Sequence, residues 1–292
     1  MNIVHSVTGK TKLLGVIGNP LSHSISPQLH NTLSCCLRID AVYVPFRVGE
    51  GYLEYAVKGL KALDVLGFNV TIPYKNDVIN YIDSVSREAS LIGAVNTVKN
   101  IDGRLYGYNT DAAGFVNSFK EEAGTGFKDK NVVIIGAGGA ARAIATGIAF
   151  EGAGRISIIN RTISRAAEIA DIINKNILPV AGYYDLQDNN ISEAIKQADI
   201  IINTTSLGMY PDINKLPLTI PLNFSTNQII YDVIYNPKKT RLLQEAEKQG
   251  CKAVNGLGML IYQGIKAYEI WMEMDIPGEI VKSLFEAFRE YL

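Results

Sequence analysis

Residues 132–141 read VVIIGAGGAA. Val132-Val133-Ile134-Ile135 form an aliphatic run that reads as a buried strand. Gly136-Ala137-Gly138-Gly139-Ala140-Ala141 follow, fitting G-x-G-x-x-A, and a helix is expected beyond them. Alone that spacing is a weak signal. Between a strand and a helix it has a mechanism: glycines permit a tight turn and bring backbone N–H groups close to a pyrophosphate at the helix N-terminus. Gly136, Gly138, Gly139 and Ala140 are therefore candidate cofactor-binding residues. The competing reading, a Gly-rich turn without a ligand, is the weaker one in this setting.

One strand further on, Ile158-Ile159 end in Asn160-Arg161-Thr162, with Arg165 behind. Dinucleotide enzymes that use NAD carry an acid here, bonded to the ribose 2′-hydroxyl. A carboxylate would repel a 2′-phosphate, whereas an amide and guanidinium forks bind it. The sequence thus favours NADP. The arginines could instead be surface residues of a helix's first turn, but cations oppose the helix dipole there.

Short apolar runs alternate with amphipathic segments over most of the chain, the pattern of βαβ units and a parallel sheet. Strands are expected at 13–17, 41–46, 66–71, 94–99 and 104–108, and then at 130–135, 155–160, 199–203 and 228–234. Leu53, Val57 and Leu60 space as one helical stripe. A helix after Asp111, through Phe115 and Phe119 to the glycines at 124 and 126, reads as a connector. Two helices, 259–272 and 279–291, close the chain. At 292 residues, two domains are expected.

Composition narrows the function. Apolar residues make up 47% and charged residues 20%, with a net charge of −1 and no long basic run. Neither nucleic acid nor an anionic membrane is the expected partner. No apolar segment is long enough to span a bilayer, and no secretory signal is read at the start. Cys35, Cys36 and Cys251 show no CxxC and suit a reducing, cytoplasmic compartment. His5, His23 and His30 have no metal-ligand spacing, so no metal site is expected. His23 reads as a structural or rim residue.

A second set of residues sits at the expected strand ends of the first half. Ser26-Pro27 is a helix start, with Ser as N-cap and Pro at the first helical position. Capping explains Ser26 but not Ser24, and two hydroxyls beside a helix N-terminus suit a small anion such as a carboxylate. Thr71 and Lys75 lie in NVTIPYK, Asn96 in GAVNT and Asp111 in YNTD. Each has a local reading as a surface charge, Asx turn or helix cap. Together they suit a ligand rich in hydroxyls with one carboxylate.

These motifs resemble the shikimate dehydrogenase family over nearly the whole chain. Ser24-Ile25-Ser26 matches its S-x-S substrate motif, and NVTIPYK carries its catalytic lysine, here Lys75. GAVNT supplies Asn96, and GYNTDAAG supplies Asp111, the lysine's partner. GAGGAAR and NRTISR match its NADP motifs, and NTTSLGM its cofactor-side loop. YDVIY carries Tyr235, and NGLGMLIYQ carries Gly256 and Gln263, which line the family's cleft. The resemblance implies an N-terminal α/β substrate domain, 1–110, completed by 257–292, and a Rossmann NADP-binding domain, 111–256. The C-terminal helices would pack back on the first domain.

It also implies reversible NADPH-dependent reduction of 3-dehydroshikimate to shikimate in aromatic amino-acid biosynthesis. Lys75 and Asp111 would handle the proton as a coupled pair in an interdomain cleft. Ser24, Ser26, Thr71, Asn96, Asp111, Tyr235 and Gln263 would hold the substrate. The cofactor side would comprise the fingerprint residues, Asn160, Arg161, Thr162 and Arg165, with Thr204, Val233 and Gly256. Some members carry an acid where this chain has Arg87, a position left without a role. The partner expected is a small molecule, with the chain a monomer or homodimer. One rival is a quinate/shikimate dehydrogenase using NAD, which the missing acid at position 160 disfavours. A non-catalytic sensor on the same fold is another, and the presence of both Lys75 and Asp111 disfavours it.

Overall fold

The computed structural model describes residues 7–22, 24–218 and 220–291. The chain divides into two compact units, Met1–Thr110 with Gln263–Phe288, and Asp111–Tyr262 with Arg289–Leu292.

The first unit carries strands β1 (Lys12–Gly18), β2 (Ala41–Arg47), β3 (Gly67–Val70), β4 (Ser84–Val85), β5 (Thr97–Ile101) and β6 (Arg104–Tyr108). Its helices are α1 (Ser26–Leu37), α2 (Leu53–Ala62) and α3 (Arg87–Ile92), with a 3-10 turn at Asp77–Tyr81. The sheet order is β2-β1-β3-β5-β6-β4. β2 lies at the edge, where its Pro45 removes no ladder donor that the sheet needs. Asn31 of α1 covers part of that edge: it donates to the Tyr43 carbonyl (3.0 Å) and accepts from the Tyr43 N–H (2.8 Å). Leu53, Val57 and Leu60 are buried as their spacing predicts, in one cluster with Phe68, Val70 and Val98.

An all-parallel sheet is not what forms here. β5 runs antiparallel to both β3 and β6. For the β5–β6 pair the cause is local: Asp102 (φ 50°) and Gly103 (φ 78°) make a two-residue turn with both central residues left-handed, which joins the two strands as a hairpin.

The second unit holds α4 (Asp111–Ala123), β7 (Asn131–Ile135), α5 (Gly139–Phe150), β8 (Arg155–Asn160), α6 (Ile163–Asn176) and β9 (Ala181–Asp185). It continues with α7 (Ile191–Gln197), β10 (Ile200–Asn203), β11 (Ile229–Asp232), α8 (Arg241–Lys248) and β12 (Lys252–Val254). Every strand pair is parallel, in the order β12-β11-β10-β7-β8-β9. Val132 and Ile134 pack in one core with Ile156, Ile158, Ile200 and Ile202, while Val133 and Ile135 pack in another with Ile159 and Ile201. A sheet buried on both faces accounts for strands that are aliphatic at every position. The segment read as a connector is core: Phe115 and Phe119 of α4 are fully buried beside Phe127 and Tyr231.

α9 (Leu257–Met272) and α10 (Gly278–Tyr291) complete the chain. Within the first unit the later part of α9 is fixed closely. A Cβ on Gly264 would collide with Leu29 of α1, and one on Gly67 with the Trp271 indole. The Trp271 Nε1–H donates to the Val98 carbonyl (2.9 Å), and Tyr268 shares a hydrogen bond with Ser34 (3.0 Å). Among the described residues no helix is long and apolar enough to cross a membrane.

Candidate active site

In the first unit, strand directions gather the ends that matter. β1, β3 and β6 finish at the edge where antiparallel β5 begins. The Thr71 N–H extends β3 by donating to the Ile17 carbonyl (2.9 Å). A Cβ on Gly18, at the end of β1, would collide with the Thr71 methyl. Lys75 lies four residues on, half-buried, and its carbonyl accepts from the Val95 N–H (2.8 Å). Its backbone is thereby tied beside Asn96, at the end of the sheet where ligands of open α/β folds bind.

Ser24 and Ser26 are half-buried between β1 and α1. The expectation that Ser26 caps α1 is not met. Ile25, at φ −92° and ψ 0°, is already helical, and its carbonyl accepts from the Leu29 N–H, so Ser26 falls inside the first turn. Ile25 holds the cap position and has no polar side chain to cap with; the Ser24 hydroxyl, one residue earlier, accepts from the Ser26 N–H at 3.4 Å, a long contact. Burial holds the nearby Tyr43 phenol well above its usual pKa, with the Ser26 side chain opposing the shift.

Asn96 lies in a buried polar network that sequence reading missed. Its Oδ1 accepts from the Thr110 N–H (2.8 Å) and from the Thr97 hydroxyl (3.0 Å), and its Nδ2 donates to Thr110 Oγ1 (3.1 Å). Asn69 Nδ2 donates to the Asn96 carbonyl and to Thr97 Oγ1, both at 3.0 Å, while Asn69 Oδ1 accepts from the Tyr43 hydroxyl (2.7 Å). Polar residues inside otherwise apolar strands, Asn69 in GFNV and Tyr43 in AVYVPF, were the available signal. His30 stacks on Tyr43 at 4.3 Å and is fully buried. Burial lowers its pKa to about 3; the Asn69 side chain opposes the shift but makes no well-formed bond to either ring nitrogen. His30 is a neutral wall of this network. His23 lies outside the described residues.

Gln263 also belongs to the first unit, on α9 beside the Gly264–Leu29 contact. Asp111 opens α4 and Tyr235 follows β11, both in the second unit and both half-buried. Burial raises the Tyr235 phenol. Arg87 is exposed at the start of α3, one residue after the Ser86 cap.

In the second unit the fingerprint forms the turn it predicts. Gly136 has φ +110°, and a Cβ there would lie 2.5 Å from Thr204 Oγ1. Thr204 in turn donates to the Ile135 carbonyl (2.8 Å). Gly138 precedes the first turn of α5, followed by Gly139 and Ala140; around both glycines a Cβ would meet only open space. Backbone N–H groups at a helix N-terminus fit a pyrophosphate. At the end of β8, Asn160 Nδ2 donates to the Thr162 carbonyl (2.8 Å), while Arg161, Thr162 and Arg165 are exposed around the start of α6. The first turn of α6 contains no acid, so three polar or cationic side chains face solvent where a phosphate would be stabilised. Arg142 of α5 is engaged with Glu168 (2.6 Å).

Val233 and Gly256 meet backbone to backbone, since a Cβ on Gly256 would collide with the Val233 carbonyl. Beside them Asp232 is fully buried. It accepts from Asn203 Nδ2 (3.0 Å), the Ile234 N–H (3.1 Å) and the Thr240 hydroxyl (2.7 Å). Burial pushes its carboxyl up to about 6, and those donors pull the other way. Asn203 Oδ1 passes the order on by accepting from the Thr205 N–H and hydroxyl, next to Thr204.

Three family models match the chain: the shikimate dehydrogenase substrate binding domain at 16–98, shikimate / quinate 5-dehydrogenase at 119–210, and the shikimate 5′-dehydrogenase C-terminal domain at 256–283. A shikimate dehydrogenase (NADP(+)) of Alkaliphilus oremlandii is 45% identical, covering 94% of this chain and 96% of its own. The structure of Listeria monocytogenes shikimate 5-dehydrogenase with shikimate and NAD is similar at a TM-score of 0.90 and 39% identity, over 97% of this chain and 99% of that one. A shikimate dehydrogenase in complex with NADP+ matches at 0.87 and 42%, over 96% of each. The doubly wound second unit, the strand-end polar groups of the first and likeness along nearly the full length agree: the chain belongs to the shikimate dehydrogenase family.

Proposed function

We propose that the protein catalyses the reversible NADPH-dependent reduction of 3-dehydroshikimate to shikimate. The observation that carries this reading is the pairing, in one chain, of a polar strand-end cluster around Asn96 with a Gly-lined helix N-terminus followed by an acid-free Asn160-Arg161-Thr162 turn. The first suits a polyhydroxylated acid and the second a phosphorylated dinucleotide. Relatives at this level of identity bear the NADP(+) name.

In this reading Ser24 and Ser26 take the substrate carboxylate. Thr71, Asn96, Asp111, Tyr235 and Gln263 hold the rest of the ring. Gly136, Gly138, Gly139 and Ala140 hold the pyrophosphate, with Asn160, Arg161, Thr162 and Arg165 on the 2′-phosphate. Thr204, Val233 and Gly256 border the nicotinamide end. Bound NADPH supplies the hydride. Lys75 donates a proton to the alkoxide that develops on the carbonyl oxygen. In the reverse direction Lys75 and Asp111 together handle the hydroxyl proton. By function we read the domains as 1–110 completed by 257–292, and 111–256, a division that differs from the two compact units in assigning 257–262 and 289–292 to the substrate side.

The test is initial-rate NADPH formation from shikimate and NADP, run beside quinate and beside NAD. Turnover of shikimate with NADP far above the other combinations is expected. Equal use of quinate and NAD would make it the broader quinate/shikimate enzyme, and no turnover with any pair would reject the activity.

A further inference from the structure

Hydrogen-bond direction in the buried network of the first unit is determined by chemistry. The Thr110 backbone N–H can only donate, and it points at Asn96 Oδ1 (2.8 Å). The Asn96 main-chain carbonyl can only accept, so the Asn69 group facing it is the NH2 (3.0 Å). Asn69 Oδ1 must then face the Tyr43 hydroxyl, which has one proton and gives it there (2.7 Å). Thr97 Oγ1 receives the second Asn69 N–H (3.0 Å), and of the two acceptors within its reach, Asn96 Oδ1 (3.0 Å) is nearer than Thr110 Oγ1 (3.3 Å). Neither Asn96 nor Asn69 can flip without facing donor to donor at the Thr110 N–H or acceptor to acceptor at the Asn96 carbonyl.

We propose that Thr97 and Asn69 are positioning residues that lock the Asn96 carboxamide with its oxygen turned inward, so that Asn96 meets the substrate only as an N–H donor. This rests on the reading that Asn96 contacts the ring. Asn69, Asn96, Thr97 and Thr110 are all buried, in a sheet whose other interior positions are largely apolar. Burying four polar side chains is costly unless every partner is matched, and a matched network specifies one arrangement. An amide held this way favours a ligand oxygen that can accept, and leaves an unpaired donor when that oxygen is missing.

The test compares Thr97→Val, which keeps the shape and removes the hydroxyl, with Thr97→Ser, which keeps the hydroxyl. Thr97→Val should raise KM for shikimate about 3- to 10-fold, the size of one lost hydrogen bond, with KM for NADP unchanged. Thr97→Ser should restore it. The Thr97→Val penalty should also shrink on the singly deoxygenated shikimate that lacks the oxygen bound by Asn96, whereas a purely structural defect would act equally on every analogue. Asn96→Ala is the control. If it leaves KM for shikimate unchanged, the assignment of Asn96 to the site fails. If it raises KM while Thr97→Val does not, the locking role alone fails. Should Thr97→Val not fold, Tyr43→Phe cuts the far end of the chain, and a folded Tyr43→Phe protein with wild-type KM on shikimate and on every analogue overturns the proposal.

Discussion

Thr204 stands in the space that Gly136 leaves by having no side chain: its hydroxyl would be 2.5 Å from a Cβ at that position, and it donates to the Ile135 carbonyl. With φ at +110°, Gly136 is also in a region that side chains disfavour. Gly136→Ala should therefore destabilise the protein by about 1–3 kcal/mol and raise KM for NADP, because Thr204 must move out of the turn. Thermal melts and initial rates check this; an unchanged melt and KM would mean the turn is not held as described.

Arg161→Ala should raise KM for NADP about tenfold to a hundredfold, the size of one charge-assisted hydrogen bond, and leave KM for NAD nearly unchanged. Kinetics with the two cofactors side by side separate this from a general loss of binding.

Lys75→Met should lower kcat by roughly 10²–10⁴, with a smaller change in KM for shikimate. Circular dichroism confirms that the variant is folded. A folded variant with more than about a tenth of wild-type kcat would make Lys75 a bystander.

Ser24→Ala and Ser26→Ala should each weaken shikimate binding. Neither should show the loss of about 1 kcal/mol that removing a true N-cap brings, since Ser26 lies inside α1 and the contact of Ser24 to its N–H is long. Equal KM values for Ser24→Ala and wild type would take Ser24 out of the site.

Asp232 gives a pH signature. Its folded carboxyl is raised to about 6 from an ordinary 3.8. The folded state thus binds that proton more tightly than the unfolded chain does. The stability this contributes is complete below about pH 4 and is lost as pH rises to about 6, on the order of 3 kcal/mol. Asp232→Asn should abolish this slope. Denaturant titrations of both proteins between pH 4 and 7 measure the difference, and parallel curves would contradict the assignment.

The segments legible in sequence are those whose physics is local. A strand, a glycine turn and a helix start occupy ten consecutive residues at 132–141, and each property belongs to the residues that show it. The same holds for the stripe of Leu53, Val57 and Leu60, and for the acid-free turn at Asn160–Thr162. β9 and β12 escaped because they are edge strands, one half-exposed and mixed in polarity and the other three residues long, so neither carries an aliphatic run. The β5–β6 hairpin was written in Asp102-Gly103, but the reversal of β5 against β3 was not, because a short run such as AVNTV does not show which way its neighbours point.

Residue types by themselves determined the two chemistries this protein offers, a phosphorylated dinucleotide and a hydroxyl-rich acid. Tertiary structure alone decided which side chains hold others in place. Tyr43, Asn69, Thr97 and Thr110 are separated by 26, 28 and 13 positions, and only sheet pairing brings them into one network. Their donors and acceptors match only after the strands have chosen direction and register. That choice is made by burial of the whole sheet, not by any short stretch of the chain.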